Sequence, residues 1–208
     1  MTLPSTTDHR LDTISTLLLS VAALATSWAG YQATIWSGEQ TRHFAAANVA
    51  RARASRAVIT TGQLVSLDVG LFNYWLEEKA HRDAKLSGYI EKRFRPEFKV
   101  AFDAWNKGNP LESSESAPSP FSLREYHVGA ADSAEHYDGL ADSETALAGI
   151  ANRAGDDYVL NAVILATVMF FASAAQNDIR PPLRWILVGF ASMACLVGIA
   201  RLFTLPRA

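Results

Sequence analysis

The chain has 208 residues, 49% of them hydrophobic, and a formal net charge of −2. This length allows one or two domains, and the near-neutral charge argues against nucleic acid as a partner. Cys195 is the single cysteine, so a disulfide within the chain is excluded, and a lone thiol in an apolar run more often just packs.

Three apolar segments divide the chain. An N-terminal tail, residues 1–13, is followed by apolar residues 14–36, and two further apolar segments cover residues 158–176 and 183–203. As a helix, about 20 residues cross the roughly 30 Å of hydrocarbon in a bilayer. We therefore predict three transmembrane helices in contact with lipid. The tail lacks the basic region of a signal peptide, so we do not expect cleavage there.

The first apolar segment ends in amphipathic aromatic residues. Trp28, Tyr31 and Trp36 are the ring types that settle where lipid tails meet headgroups, and Gln32 and Glu39 mark the approach to water. No proline interrupts the chain between residues 5 and 95. The first helix is therefore predicted to continue from the membrane into the following region.

Small residues recur at every fourth position of this segment: Ala22, Thr26, Gly30 and Thr34. Such a face lets helices approach closely in lipid. We favour packing against the second or third membrane helix of the same chain, with self-association as the alternative.

Two runs of residues at heptad spacing predict a helical hairpin over residues 37–157. The first seam contains Ala47, Ala50, Ala54, Ala57, Thr61, Leu64, Asp68, Leu71 and Trp75. The second seam contains Tyr137, Leu140, Glu144, Leu147, Ala151, Ala154 and Tyr158. Such stripes are typical of helices packed as in a coiled coil.

The pattern of the first seam weakens near residues 87–88, and Pro96 disfavours continuation of the helix. The Pro- and Ser-rich residues 106–121 predict a loop, and helix is expected again from about residue 122. The predicted fold is all-α, with three transmembrane helices and a long antiparallel helical hairpin outside the bilayer.

Charged residues flank the predicted membrane helices at the hairpin side. Glu39 and Arg42 follow the first helix, and Arg153, Asp156 and Asp157 precede the second. In an antiparallel pair these residues form an interfacial cluster, for which we favour ion pairing that fixes the hairpin over a cation or proton entry site.

Two further expectations accompany this cluster. The hairpin register would place Glu39 opposite Gly155 and Asp156, and His43 opposite Ile150 and Ala151. Asn161, one turn deeper in the predicted membrane helix, is a residue type that bonds between helices or lines a path through the membrane.

Asp68 falls on the apolar first seam. A carboxylate there must be paired, neutralised or exposed, and we favour exposure at the edge of the seam. A buried polar group that selects the register is the alternative.

No pattern of catalytic or metal-binding residues is convincing. Glu78 and His81 have the spacing of di-iron bundles, but no second Glu-x-x-His is present, and Asp132 with His136 is a poor substitute. The chain also lacks a Gly-rich phosphate loop, a G-x-S-x-G elbow and an H-E-x-x-H motif. We predict neither enzymatic activity nor a cofactor.

Four segments resemble a family of bacterial integral membrane proteins without established activity. They are "YQATIWSGEQ" at 31–40, "RFRPEF" at 93–98, "SPFSLREY" at 119–126 and "ANRAGDDYVLNAV" at 151–163. The resemblance implies one N-terminal and two C-terminal membrane helices around a helical domain. It also implies a bacterial origin, but no mechanism.

The distribution of basic residues gives divided evidence on which side of the membrane the hairpin lies. Arg10, Arg180 and Arg184 favour a cytoplasmic N-terminus and an extracytoplasmic hairpin in the bacterial inner membrane, whereas arginines within the hairpin ends favour the opposite. We choose the first orientation, because the short loop "IRPPLR" is basic.

The predicted function is a non-enzymatic scaffold or accessory subunit that acts through the hairpin. Its partner would be a further copy of the chain or another membrane protein. The alternative is a small oligomeric ion channel, lined by Asn161, Gln32 and the acidic residues Asp156 and Asp157.

Overall fold

The computed structural model describes residues 6–111, 117–177 and 180–207, and within these it is all-α. The helices are α1 (Thr6–Ala80), α2 (Ala84–Glu91), α3 (Pro96–Asn106), α4 (Gly129–Ala174) and α5 (Pro181–Thr204), with a 3-10 turn at Pro120–Ser122. Helices α1, α4 and α5 each contain a stretch long and apolar enough to cross a bilayer. These three helices indicate a multi-pass membrane protein in contact with lipid.

Helix boundaries agree best with the sequence where apolar length determines them. Helix α5 coincides closely with the predicted residues 183–203, and α1 continues past residue 36 as predicted. Residues 6–13 are helical rather than a tail, while residues 1–5 lie outside the described residues.

Helix α4 begins at Gly129, later than predicted. The preceding residues form the 3-10 turn, followed by extended backbone at Leu123. Leu123 and Tyr126 pack against an aromatic core, so tertiary contacts hold this stretch out of a helix. Residues 112–116 of the predicted loop lie outside the described residues.

The chain divides into two compact units. The bundle unit comprises residues 1–46 and 144–208, and the hairpin unit comprises residues 47–143.

Small side chains form the core of the bundle unit. One cluster of buried residues contains Ala22, Val168, Ala172, Ala191 and Cys195. Between helices in lipid, small residues allow close backbone approach and therefore strong van der Waals contact.

The small-residue face predicted on α1 is buried only at its beginning. Ala22 is buried and Thr26 is half-buried, but Gly30 and Thr34 are exposed. Among the side chains of α1 that the structure describes in this unit, the buried ones are Leu11, Ser15, Ala22, Ala29 and Gln32. A four-residue repeat drifts around a helix of 3.6 residues per turn, whereas near-heptad spacing stays on the side of the neighbouring helix.

The first seam of the hairpin unit is confirmed, since each of its residues is buried or half-buried. The second seam is wrong at two positions. Leu140 and Leu147 are exposed, and the adjacent Ala141 and Ala148 are buried instead. Alanine permits the closer helix approach, so the bulkier leucines lie outside the contact.

The end of α1 is set by local backbone geometry. Arg82 has a φ of 63°, and the Asp83 N–H donates to the Glu78 carbonyl at 3.0 Å, as in a Schellman motif. The Asp83 carboxylate then caps α2 by accepting from the Lys85 and Leu86 N–H groups. The helix therefore breaks at residues 81–83, whereas residues 87–88 lie within α2.

Aromatic side chains form the core of the hairpin unit. The buried members are Phe72, Trp75, Ile90, Phe94, Phe98, Phe102 and Trp105. Edge-to-face pairs such as Trp75–Phe102, with ring centroids 4.8 Å apart, add attraction to the apolar burial. This core holds α2 and α3 against the last turns of α1.

Helices α4 and α5 approach each other closely at Gly198, and a substitution there tests this packing. A Cβ at this residue would lie 2.7 Å from Leu165 Cδ2, and Leu165 is buried. We expect Gly198→Ala to destabilise the protein by about 1–3 kcal/mol through overpacking. Gly189→Ala on the same helix is the control, because a Cβ there meets nothing within 4 Å. Thermal unfolding followed by circular dichroism in detergent compares them, and equal midpoints would contradict the packing.

Candidate functional site: buried polar contacts in each unit

Asp68 is a charged residue of the hairpin unit that is fully buried, with an exposed fraction of 0%. Arg95 donates to both of its carboxylate oxygens, at 3.2 Å from Nε and 2.8 Å from Nη2. The Tyr126 hydroxyl also donates to Oδ2 at 3.1 Å. The favoured prediction of an exposed Asp68 is wrong, because the residue is buried and its carboxylate is paired. Both partners are distant in the sequence, so the residues around Asp68 do not indicate them.

Residues adjacent to Arg95 and Tyr126 in the sequence explain how these two side chains reach Asp68. Arg95 precedes Pro96, which disfavours helical backbone at Arg95 and begins α3. Phe94 and Phe98 are buried on either side of Arg95. The Tyr126 ring contacts Phe121, with centroids 5.0 Å apart. The aromatic core thus holds Arg95 and Tyr126 at Asp68.

The surroundings of Asp68 shift the pKa values of its two partners, Arg95 and Tyr126, further from neutral pH. The hydrogen bonds from Asp68 raise the pKa of Arg95 above its already high ordinary value. Burial, and secondarily the Asp68 carboxylate, raises the pKa of Tyr126 to about 12. A carboxylate that accepts three hydrogen bonds is satisfied, which favours a positioning role over proton transfer.

The residues of the predicted interfacial cluster do not form one group in the bundle unit, because they pair with different partners. Glu39 and Arg42 pair with each other along α1. Asp157 pairs with Arg201 of α5 at 3.0 Å, and Asp156 accepts from Asn152 at 2.9 Å.

Arg153 is exposed. Arg201 was not predicted to join this cluster, although its position at the end of an apolar run was a usable signal.

Contacts between α1 and α4 in the bundle unit show the register. Gln40 donates to Asn152 at 2.8 Å, and His43 Nδ1 lies 2.7 Å from a Glu144 oxygen. His43 was expected opposite Ile150 and Ala151, so the pairing is shifted toward the N-terminal part of α4. A Cβ on Gly155 would lie 3.6 Å from Trp36 Cβ rather than face Glu39.

Asn161 is fully buried inside the bundle unit. Its side-chain amide donates to the Gly198 carbonyl at 3.1 Å, which joins α4 to α5. Its Oδ1 has no hydrogen-bond partner among the residues that the structure describes. This contact is of the interhelical kind that the sequence predicted.

Pro206 lies beyond α5 and accepts two hydrogen bonds through its carbonyl oxygen. The donors are Tyr158 Oη at 3.0 Å and Trp36 Nε1 at 3.3 Å. Both aromatic residues occur in the segments that carry the family resemblance, but a backbone acceptor gives no signal in the sequence.

Arg184 joins the other end of the bundle unit. It is largely buried, donates from Nε to the Ala175 carbonyl at 2.9 Å, and pairs with Asp12. Gln176 donates to the Thr16 hydroxyl nearby at 3.1 Å. Asp12 was predicted to belong to the N-terminal tail, so this ion pair was not expected from the sequence.

Metal ligation has no geometric candidate within residues 6–111, 117–177 and 180–207, where no group of three or more His, Cys, Asp or Glu could hold an ion. Asp132 contacts His127 at 2.8 Å. His81 lies just beyond the end of α1, which is Ala80.

No protein-family model, curated protein or solved structure matches this chain. The family resemblance therefore stays a prediction. Its four segments do contribute to the contacts described above, including Gln40, Arg95, Tyr126 and Asn152.

Asp68→Asn tests the buried ion pair. Removing the charge leaves Arg95 without its buried counter-ion, and we expect a loss of about 3–5 kcal/mol. Glu97→Gln is the matched control, since Glu97 also pairs with Arg95 but its side chain is 48% exposed, and such a pair contributes about 0–1 kcal/mol. Urea unfolding, followed by near-ultraviolet circular dichroism, measures both. Equal losses would contradict a central role for Asp68.

The raised pKa of Tyr126 predicts loss of stability at high pH. An unfolded tyrosine ionises near 10, while the folded Tyr126 resists ionisation until about 12. The unfolded state therefore loses its proton first, and stability falls as the pH rises through this interval. Tyr126→Phe should remove that part of the pH dependence. An unchanged profile between pH 10 and 12 in this variant would refute the assignment.

Proposed function

We propose that the chain is a non-enzymatic integral membrane protein whose hairpin unit assembles with further copies of the same chain. The observation that supports this proposal is an open groove of about 740 Å³ between α1 and α4 of the hairpin unit.

Apolar side chains and charges of opposite sign line this groove. Val58 and Ile59 of α1 are each 60% exposed, while Arg51 lies on α1 and Glu135 and Asp138 lie on α4. A pair of helices leaves such a flank uncovered, and further helices commonly cover it in bundles.

The charges of the two helices are segregated along the hairpin unit. Between residues 47 and 67 the charged residues are all arginines: Arg51, Arg53 and Arg56. Between residues 129 and 143 they are all acidic: Asp132, Glu135, Asp138 and Asp142. The basic stretch of α1 on one copy is therefore complementary in charge to the acidic stretch of α4 on another copy.

The membrane would hold the complementary charges of neighbouring copies at the same depth. Symmetric copies that share one orientation in a bilayer are related by rotation about the membrane normal, which keeps each residue at its own depth. Arg51 of α1 and the acids Glu135 and Asp138 of α4 line the same groove, so opposite charges of two copies lie at matching depth. This favours a second copy over an unrelated subunit.

The proposed location is the bacterial inner membrane, with the hairpin unit outside the bilayer and extracytoplasmic. The family resemblance supports the bacterial membrane. Exposed Arg10 and Arg180 support a cytoplasmic N-terminus. They lie near the end of the bundle unit that Arg184 and Asp12 join.

The channel alternative receives less support from the geometry. Asn161 and Gln32 are 0% and 3% exposed within the bundle unit of a single chain. A pore between copies would need these side chains on the outside, whereas Asn161 is bonded to α5 of its own chain.

Val58→Asp tests the proposed assembly surface. An unpaired carboxylate buried at the contact costs more than about 1.4 kcal/mol, so self-association should weaken at least tenfold. The mass of the purified protein in native-like lipid particles measures it.

Val100→Asp is the matched control. Val100 is 59% exposed, lies on α3 and does not line the groove. It should keep the wild-type mass. Loss of the oligomer in both variants, or in neither, would contradict the proposal, and a monomeric wild type would favour a different partner.

A further inference from the structure

A second groove, of about 450 Å³, lies in the bundle unit between α1 and α5. Its lining includes Val21, Ala25, Trp28, Ile199, Leu202 and Arg207. Its volume is in the range of small-molecule sites, which are mostly apolar with a few placed polar groups.

The walls of this groove belong to apolar stretches that can cross a bilayer. Leu24 and Phe203 also line the groove and are strongly exposed. In a membrane such side chains contact acyl chains, so hydrocarbon is the natural occupant of the apolar part.

Arg207 supplies the polar part of this groove. It follows the end of α5, and no carboxylate among the residues that the structure describes is paired with it, whereas the neighbouring Arg201 is paired with Asp157. A guanidinium binds phosphate oxygens through two parallel hydrogen bonds. Trp28 and Tyr31 nearby are exposed aromatic residues of the kind found at headgroup depth.

We propose that this groove binds one anionic glycerophospholipid, with an acyl chain along the apolar walls and the phosphate on Arg207. A zwitterionic lipid carries its own cation beside the phosphate, which opposes Arg207, whereas an anionic headgroup does not. This site does not depend on the assembly of the hairpin unit.

Native mass spectrometry of the full chain tests the proposal. The protein is released from particles of phosphatidylcholine with phosphatidylglycerol, and the lipid adducts are counted. The wild type should retain phosphatidylglycerol preferentially. Arg207→Ala should lower that preference about fivefold, the effect of one basic residue near an anionic surface, and Arg207→Lys should restore most of it.

Two further variants separate this site from general surface charge. Arg153→Ala removes an exposed arginine of the same unit that does not line the groove, and it should leave the preference unchanged. Ala25→Phe fills the groove and should reduce retention of both lipids; if this variant does not fold, the three arginine variants decide alone. An unchanged preference in Arg207→Ala, or an equal loss in Arg153→Ala, would overturn the proposal.

Discussion

The ion pair between Asp68 and Arg95 is the interaction on which the hairpin unit depends. One carboxylate of α1 contacts the residue before α3 and, through Tyr126, the segment before α4. Three stretches of chain thereby meet at one buried point, and the aromatic side chains pack around it. A buried ion pair adds little net stability over an apolar substitute, but breaking it is costly. We interpret its role as the selection of one packing arrangement.

The two units are stabilised by different physical effects. The bundle unit joins its helices through small residues, through hydrogen bonds such as that from Asn161 to Gly198, and through the ion pairs of Arg184 and Arg201. The hairpin unit buries large rings, of which Trp75 and Phe98 are fully enclosed. Burial of apolar surface drives association in water but not in lipid, where close packing and polar contacts take its place. This contrast is one reason for our proposal that lipid surrounds the bundle unit and water surrounds the hairpin unit.

Sequence reasoning succeeded where a single local property determines the structure. Apolar length defined α5, and the heptad spacing of alanines defined the first seam. It failed for the second seam, because Leu140 and Leu147 are more hydrophobic than Ala141 and Ala148, while close approach requires the smaller residue.

Contacts between distant residues were the other source of error. Nothing near Asp68 in the sequence indicates Arg95 or Tyr126, so its burial could not be predicted from its neighbours. The pairs of Asp12 with Arg184 and of Asp157 with Arg201 likewise depend on how helices meet. The contact of His43 with Glu144 likewise depends on how α1 and α4 meet, which residues near His43 in the sequence do not indicate.

Association of hairpin units is the central functional claim, and a distance between copies tests it most directly. A spin label at Gln63→Cys, in a Cys195→Ala background, lies on an exposed position of α1 that does not line the groove. Double electron–electron resonance on the full chain in lipid particles then reports the separation of labels on different copies. If the hairpin units associate in a fixed arrangement, narrow and reproducible distances between labels are expected. Absence of dipolar coupling between labels would show that the hairpin units do not meet.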